Sequence, residues 1–116
     1  MTVIYRHEGG PILTIDYGFI SANSLSAKFQ LSDNVISKCG GEKLFEIKGD
    51  RVFQYTGSCV FELNGPVFSK FNGGPLAQIN GSHITIYGGY DNYEITGYLN
   101  RNELIALLTI MFFYNL

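Results

Sequence analysis

Four carboxylate or amide side chains recur at intervals of sixteen residues: Glu46, Glu62, Gln78 and Glu94. Carboxylate oxygens are good ligands for hard cations, so convergence of these side chains on one axis would create a site for a cation or a polar ligand. A structural repeat that exposes one polar residue per unit produces the same spacing. The second interpretation is simpler, because equivalent positions of successive repeats carry similar residues whether or not those residues bind a ligand.

The other residues that could perform chemistry are few and far apart. His7 and His83 are the only histidines, and no short metal-binding motif includes them. Cys39 and Cys59 are too few for a disulfide framework, and their spacing fits no zinc pattern. Cys39 shares a column with Tyr55 and is predicted to be a small core residue, whereas Cys59 follows a turn and is predicted to be exposed. We therefore expect no catalytic residues, no metal site, no cofactor and no enzymatic activity.

Composition and charge indicate one domain and restrict its partners. The 116 residues are 46% hydrophobic and 15% aromatic, which is sufficient for a core. The formal net charge is -2 and no basic run is present, which argues against nucleic acid as a partner.

The apolar run at residues 104–114 is shorter than the roughly 20 residues of a membrane span, and without a secretory signal we expect a cytoplasmic protein. Only 16% of residues are charged, which favours coverage of some surface by a second copy or another protein.

A repeat of β-hairpins accounts for the acidic column. Two apolar columns flank it: Ile15, Leu31, Ile47, Leu63, Ile79 and Ile95, and two residues earlier Leu13, Phe29, Phe45, Phe61, Ala77 and Tyr93. Alternation of apolar and polar residues predicts strands, because successive side chains of a strand point to opposite faces. Glycines follow at positions 49, 65 and 81 and supply tight turns, so each repeat is predicted to form one hairpin.

The turn chemistry also predicts which residues share a face. A two-residue loop at residues 49–50 places Ile47 opposite Val52. Phe45 joins these residues on an apolar face, whereas Leu44 is placed on the other, mixed face. One such hairpin is not stable alone, so the repeats must pack on each other.

The ends of the repeat region predict a closed ring or barrel. Residues 3–7 have the register of a second hairpin arm, and residues 92–96 form a first arm without its partner. Antiparallel pairing of these segments would remove both exposed sheet edges. Residues 22–35 lack the expected glycines, with Leu25 at a turn position, so they form either a longer strand or an irregular excursion. Four or six hairpins would then close the ring.

An apolar helix is predicted at about residues 101–113. Asn100 is a suitable N-cap, and Glu103 completes a capping box. Apolar side chains surround most of the helix, which therefore requires burial on nearly all sides. We expect it to be the central packing element of the fold or of a two-fold oligomer, with a contact surface made by Leu104, Leu107, Leu108, Met111 and Phe112.

Residues 40–114 resemble the four-fold β-flower family of small bacterial proteins. The resemblance rests on the units LFEIKGDRVFQY, VFELNGPVFSKF and LAQINGSHITIY and on the ending YEITGYLNRNELIALL. It implies a fold without a defined activity. The chain is also similar to the tubby/LURP-like barrel, in which twelve strands surround an apolar C-terminal helix. Six first arms and six second arms suit that count, although no lipid-headgroup motif of that family is present.

The sequence thus predicts a single domain over residues 1–116, with hairpin repeats at about 3–98. The function expected of it is that of a non-enzymatic structural or protein-interaction module that self-associates. The alternative is a carrier for a lipid or a polar metabolite, with a pocket between the β-ring and the helix.

Overall fold

In a computed structural model, the described residues are 1–23, 28–88, 92–114 and 116. They form a mainly β structure with one helix, as predicted. The elements are β1 (Thr2–Arg6), β2 (Pro11–Asp16), β3 (Phe19–Ala22), β4 (Lys28–Ser32), β5 (Val35–Lys38), β6 (Lys43–Lys48), β7 (Arg51–Gln54), β8 (Cys59–Asn64), β9 (Val67–Lys70), β10 (Pro75–Asn80), β11 (His83–Ile86), β12 (Asn92–Thr96) and α1 (Arg101–Phe113). Each strand pairs with its neighbours in the chain, and β1 also pairs with β12, which makes a closed barrel.

The barrel closes where the sequence predicts. β1 and β12 are antiparallel, and Ile4 lies opposite Ile95. The expected pairing of residues 3–7 with residues 92–96 is therefore confirmed. Closure gives both strands two neighbours, so neither presents a free edge.

Residues 22–35 are regular where the structure describes them. β3, β4 and β5 continue the hairpin pattern, and the inward-facing Phe29 and Ile36 are fully buried. Residues 24–27, which include Leu25, lie outside the described residues. The twelve strands form five hairpins, and the β12–β1 pair takes the place of a sixth, so the ring closes with six such units rather than four.

The hairpin register follows from the short turns. Ile47 lies opposite Val52 and Phe45 opposite Gln54, which confirms the two-residue loop at residues 49–50. Gly49 has a φ of 63°, a conformation in which glycine meets no steric penalty. The turn therefore directs Phe45, Ile47 and Val52 to the interior, where all three are buried.

Four of the first arms contain a β-bulge, which the alternation did not predict. Each bulge sets two residues against one on the neighbouring strand, and the extra residue is Ile12, Leu44, Val60 or Leu76. These side chains are partly buried and pack against the core. The prediction that Leu44 lies on the mixed face is wrong. That prediction rests on strict alternation along the strand, and the bulge interrupts the alternation. Lys28 and Asn92 occupy the equivalent positions of β4 and β12, where the pairing is regular.

The helix α1 fills the barrel. It has the predicted bounds, and the capping box of Asn100 and Glu103 is present. All seven residues at positions 105–111 are buried, which amounts to about two helical turns covered in every direction. The hydroxyl of the buried Thr109 donates to the carbonyl of Ile105 at 2.7 Å, so this polar group is satisfied inside the apolar interior.

Both ends of the helix contact the barrel wall. At its start, Nη2 of Arg101 lies 2.7 Å from Oδ1 of Asp50 and donates to the carbonyl of Leu63 at 3.2 Å. At its end, the ring of Phe113 packs edge-on against Phe45 with centroids 4.9 Å apart. The helix is therefore held along its whole length.

Substitution of Leu108 tests the role of the helix. Leu108 is fully buried, so Leu108→Ala should lower the free energy of unfolding by about 2–5 kcal/mol, as measured by urea denaturation. Leu108→Asp should prevent folding, because it places an unpaired charge in the apolar interior. Phe113→Ala, at a position 42% exposed, is the control and should cost less than Leu108→Ala. A Leu108→Asp protein with the parent's melting temperature would show that the helix is not held inside the barrel.

Candidate functional site

The acidic column, formed by Glu46, Glu62, Gln78 and Glu94, lies on the outside of the barrel. Its members occupy β6, β8, β10 and β12, which are every second strand of the wall. Their neighbours along each strand point inward, so these four side chains point outward. They are therefore distributed around the wall and do not converge on an axis.

Three members of the acidic column have ordinary surface partners. Oε1 of Glu46 lies 3.9 Å from Nζ of Lys48, and Oε2 of Glu62 lies 3.1 Å from Nε of Arg51. Gln78 accepts a hydrogen bond from the Tyr87 hydroxyl at 3.4 Å. These local contacts favour the structural interpretation for the three residues, because exposed ion pairs of this kind contribute little energy and no binding geometry.

Glu94 differs from the rest of the column because it contacts both histidines. Its Oε1 lies 3.3 Å from Nδ1 of His7 and 3.8 Å from Nδ1 of His83. We call these three residues the seam cluster, because they lie on β12, at the end of β1 and on β11. The three side chains are 45–64% exposed. Within the described ranges, no group of three or more His, Cys, Asp or Glu side chains could hold a metal ion, and this includes the seam cluster.

Sequence reasoning missed the seam cluster. The two histidines are far apart in the chain, and only barrel closure brings β1 beside β12. A signal was nevertheless present, because His83 lies directly opposite Glu94 in the hairpin register. The backbone N–H of His7 donates to the carbonyl of Asn92 at 2.8 Å, which fixes its position beside β12.

A second feature is a patch of exposed apolar side chains at the end of the barrel where the tight turns lie. This rim patch consists of Met1, Tyr17, Phe19 and Tyr98, which are 79%, 95%, 52% and 82% exposed. Backbone contacts and strand pairing link the segments that carry these residues. The amino group of Met1 lies 3.8 Å from Asp16, which is opposite Phe19 in the β2–β3 hairpin.

Tyr98 is attached to the same side of the barrel as the rest of the rim patch. The Thr2 hydroxyl, next to Met1, donates to the Tyr98 carbonyl at 2.7 Å. Gly97 permits this close approach, because a Cβ there would lie 2.7 Å from the Thr2 hydroxyl oxygen. The sequence signal that could have found the patch is Tyr17, which occupies a turn position that is Asp33 in the next repeat.

The residues predicted to form a helix contact surface lie mostly inside the barrel. Leu107, Leu108 and Met111 are at most 2% exposed, and Leu104 and Phe112 are partly buried near the two ends. These side chains contact the barrel wall, as expected for the central packing element of the fold. The three buried ones are not available to a second copy while the barrel is closed.

The space between the strands and the helix bears on the alternative carrier function. The helix α1 occupies the interior, but recesses lie near both of its ends. One of about 440 Å³ lies beside Arg101 and one of about 450 Å³ beside Leu116, and both volumes fall within the usual 300–1,000 Å³ of a ligand pocket. A third recess, beside Tyr114, is smaller at about 190 Å³. A larger groove of about 700 Å³ lies on the outer wall beside Arg51 and Phe71 and is open to solvent.

The cysteines do not occupy the predicted positions. Cys39 is exposed, so the expectation of a core position is wrong. The cause is that β5 ends at Lys38, which leaves Cys39 in the following turn, and Tyr55 in the same column is also 46% exposed. Cys59 is half-buried at the start of β8 rather than exposed. Burial raises the pKa of the Cys59 thiol above its ordinary value, although the nearby charge of Arg51 opposes this shift.

No protein-family model, curated protein or solved structure matches this chain. Both family resemblances therefore remain predictions. The observed architecture of twelve strands around a helix has the strand count that the tubby-like resemblance implies. In the part of the chain that the structure describes, no helix has the length and apolar character needed to cross a membrane.

The two thiols should differ in reactivity. Because the thiolate is the nucleophile, iodoacetamide should modify the exposed Cys39 about tenfold faster than the half-buried Cys59 at neutral pH. Mass spectrometry of timed digests measures both rates. In denaturing urea the difference should disappear. Equal rates in the folded protein would contradict the placement of Cys39 and Cys59.

Proposed function

We propose that this protein is a non-enzymatic interaction module that associates with a second copy of itself through the rim patch. The observation that carries the proposal is the exposure of Met1, Tyr17, Phe19 and Tyr98 on adjacent elements. Several large apolar side chains exposed on neighbouring segments are characteristic of interaction sites. Tyrosine and phenylalanine are also enriched in the cores of protein interfaces.

The size of the rim patch supports pairing of two identical patches. An aromatic side chain contributes about 150–250 Å² when fully buried, so the observed exposures correspond to roughly 500 Å² of accessible surface. A two-fold interface uses the same patch on both copies. It would therefore bury roughly 1,000 Å², which reaches the lower range of specific interfaces.

The charges around the rim patch do not oppose this association. Asp16, next to Tyr17 in the chain, has its Oδ1 3.8 Å from the amino group of Met1, so its charge has a local partner. A paired charge at the edge of an interface costs less to desolvate than an isolated one. The low overall charge of the chain acts in the same direction, because a net charge of -2 produces little repulsion between copies.

Tyr17→Asp tests the proposal without damage to the fold. Tyr17 has a φ of 51°, and Asp33 occupies the equivalent turn position with a φ of 55°, so aspartate suits this backbone. We expect the parent to form a dimer in sedimentation-velocity experiments at micromolar concentrations. The variant should keep the parent's circular dichroism spectrum and weaken the dimer at least about tenfold, because it brings two unpaired carboxylates into the interface.

Tyr87→Ser is the matched control. Tyr87 is 46% exposed and follows β11, at the opposite end of the barrel from the rim patch. Its replacement should leave the dimer unchanged. A parent that remains monomeric at about 100 µM, or a dimer that Tyr17→Asp does not weaken, would contradict the proposal.

A further inference from the structure

We propose that the recess beside Arg101 receives the side chain of Tyr17 from a second copy, so that each copy inserts one tyrosine into the other. This inference rests on the proposed association through the rim patch and names the contact that directs it. We call the recess, of about 440 Å³, the helix-start recess; its lining includes Gly18, Leu31 and Asn102. Tyr17 is 95% exposed and directly precedes Gly18, so a projecting side chain and a hollow adjoin in each copy.

The backbone at Tyr17 is unusual for an aromatic residue. Its φ of 51° lies in the left-handed region, where a bulky side chain is sterically disfavoured. Gly49 and Gly65 occupy the equivalent turn position in later repeats, with φ of 63° and 59°, and meet no such penalty. Because Tyr17 is almost fully exposed, its ring gains little contact within its own chain in return. A contact with another molecule would offset the cost of this conformation.

The helix-start recess borders the rim patch at two places in the chain. Its lining includes Gly18, which follows Tyr17, and Asn100, which is two residues after Tyr98. The backbone N–H of Leu31 donates to the carbonyl of Gly18 at 2.7 Å, which fixes β4 beside the turn that carries Tyr17. The recess is therefore continuous with the surface proposed to meet the second copy. A two-fold axis between Tyr17 and the recess would form both tyrosine contacts at once.

The lining of the helix-start recess suits a tyrosine side chain. Leu31 is partly buried and packs against the core, and it supplies apolar surface for the ring. Asp33 and Asn102 supply oxygen acceptors for the phenolic hydroxyl, which needs a hydrogen-bond partner when it leaves water. A volume of about 440 Å³ is in the range that accommodates a small organic molecule, so it has room for a single phenol ring.

Tyr17 is the member of the rim patch that is best placed to enter another chain. It lies at the tip of a two-residue loop that is held by the pairing of Asp16 with Phe19. Its backbone is therefore ordered before association, which lowers the entropic cost of binding. Tyr98 lies instead on the connection from β12 to α1, where its carbonyl accepts the Thr2 hydroxyl at 2.7 Å. We therefore assign insertion to Tyr17 and packing around the inserted ring to Tyr98.

Two variants of the whole chain separate the inserted side chain from the recess. Tyr17→Gly removes the ring and suits a backbone of positive φ. Asn102→Trp fills the recess from a half-buried position in the first turn of α1. Each variant should keep the parent's circular dichroism spectrum and form the dimer at least about tenfold more weakly in sedimentation velocity, because each removes an aromatic anchor. Ser58→Trp, in a turn at the opposite end of the barrel, is the control for added bulk and should dimerise as the parent does.

A mixture of the Tyr17→Gly and Asn102→Trp proteins tests the contact directly. In a mixed pair, the tyrosine of one copy meets the open recess of the other, so one of the two contacts is restored. Native mass spectrometry resolves the pairs by mass, and the mixed dimer should have a Kd at least about tenfold lower than either variant alone. If the mixed pair has no advantage, or if Tyr17→Asp weakens the dimer and Asn102→Trp does not, the recess contact is wrong and the rim-patch dimer stands. A monomeric parent would overturn both.

Discussion

The packing of one apolar helix inside the barrel is the interaction on which the rest of the structure depends. A barrel of about eight strands is narrow enough for its own side chains to fill, whereas twelve strands enclose a wider space. An α-helix with its side chains is about 10–12 Å across and presents apolar groups in every direction. The helix therefore supplies the core that the inward residues of the hairpins, such as Phe45 and Ile84, require. The hairpins in turn cover an element that would be insoluble alone.

The bulges show how the wall adapts to this core. Where the first arm carries two successive apolar residues, as at Leu44-Phe45 and Val60-Phe61, the extra residue bulges and both side chains reach the core. Where the first of the two positions is polar, as at Lys28 and Asn92, the ladder is regular. Bulged strands bend and twist more strongly, which assists closure around a helix. The bulges, which interrupt the regular repeat, therefore bring additional apolar side chains to the core.

Much of this architecture could be predicted from the sequence, because it rests on short-range chemistry. Alternation and glycine spacing were sufficient for the hairpins, the loop at residues 49–50 and the antiparallel meeting of β1 with β12. The prediction that Cys39 lies in the core was wrong because its equivalence to Tyr55 in the repeat does not reveal where a strand ends. The number of hairpins remained open because residues 22–35 lack the turn glycines. The seam cluster was missed because the position of His7 depends on a register between distant segments, although the pairing of His83 with Glu94 is local. The rim patch was missed because it requires knowledge of which turns adjoin, although Tyr17 at a turn position was a signal.

The closing pair of strands also has a kinetic consequence. Each hairpin joins segments that adjoin in the chain, and such units form within about 1–10 µs. Pairing of β1 with β12 joins opposite ends of the repeat region, so it carries the largest loop-closure entropy in the sheet. We expect this step, together with enclosure of α1, to limit the folding rate. Until it occurs, the chain presents two open sheet edges and an uncovered helix. An open barrel in which β12 of one chain meets β1 of another is consequently its most accessible misfolded form.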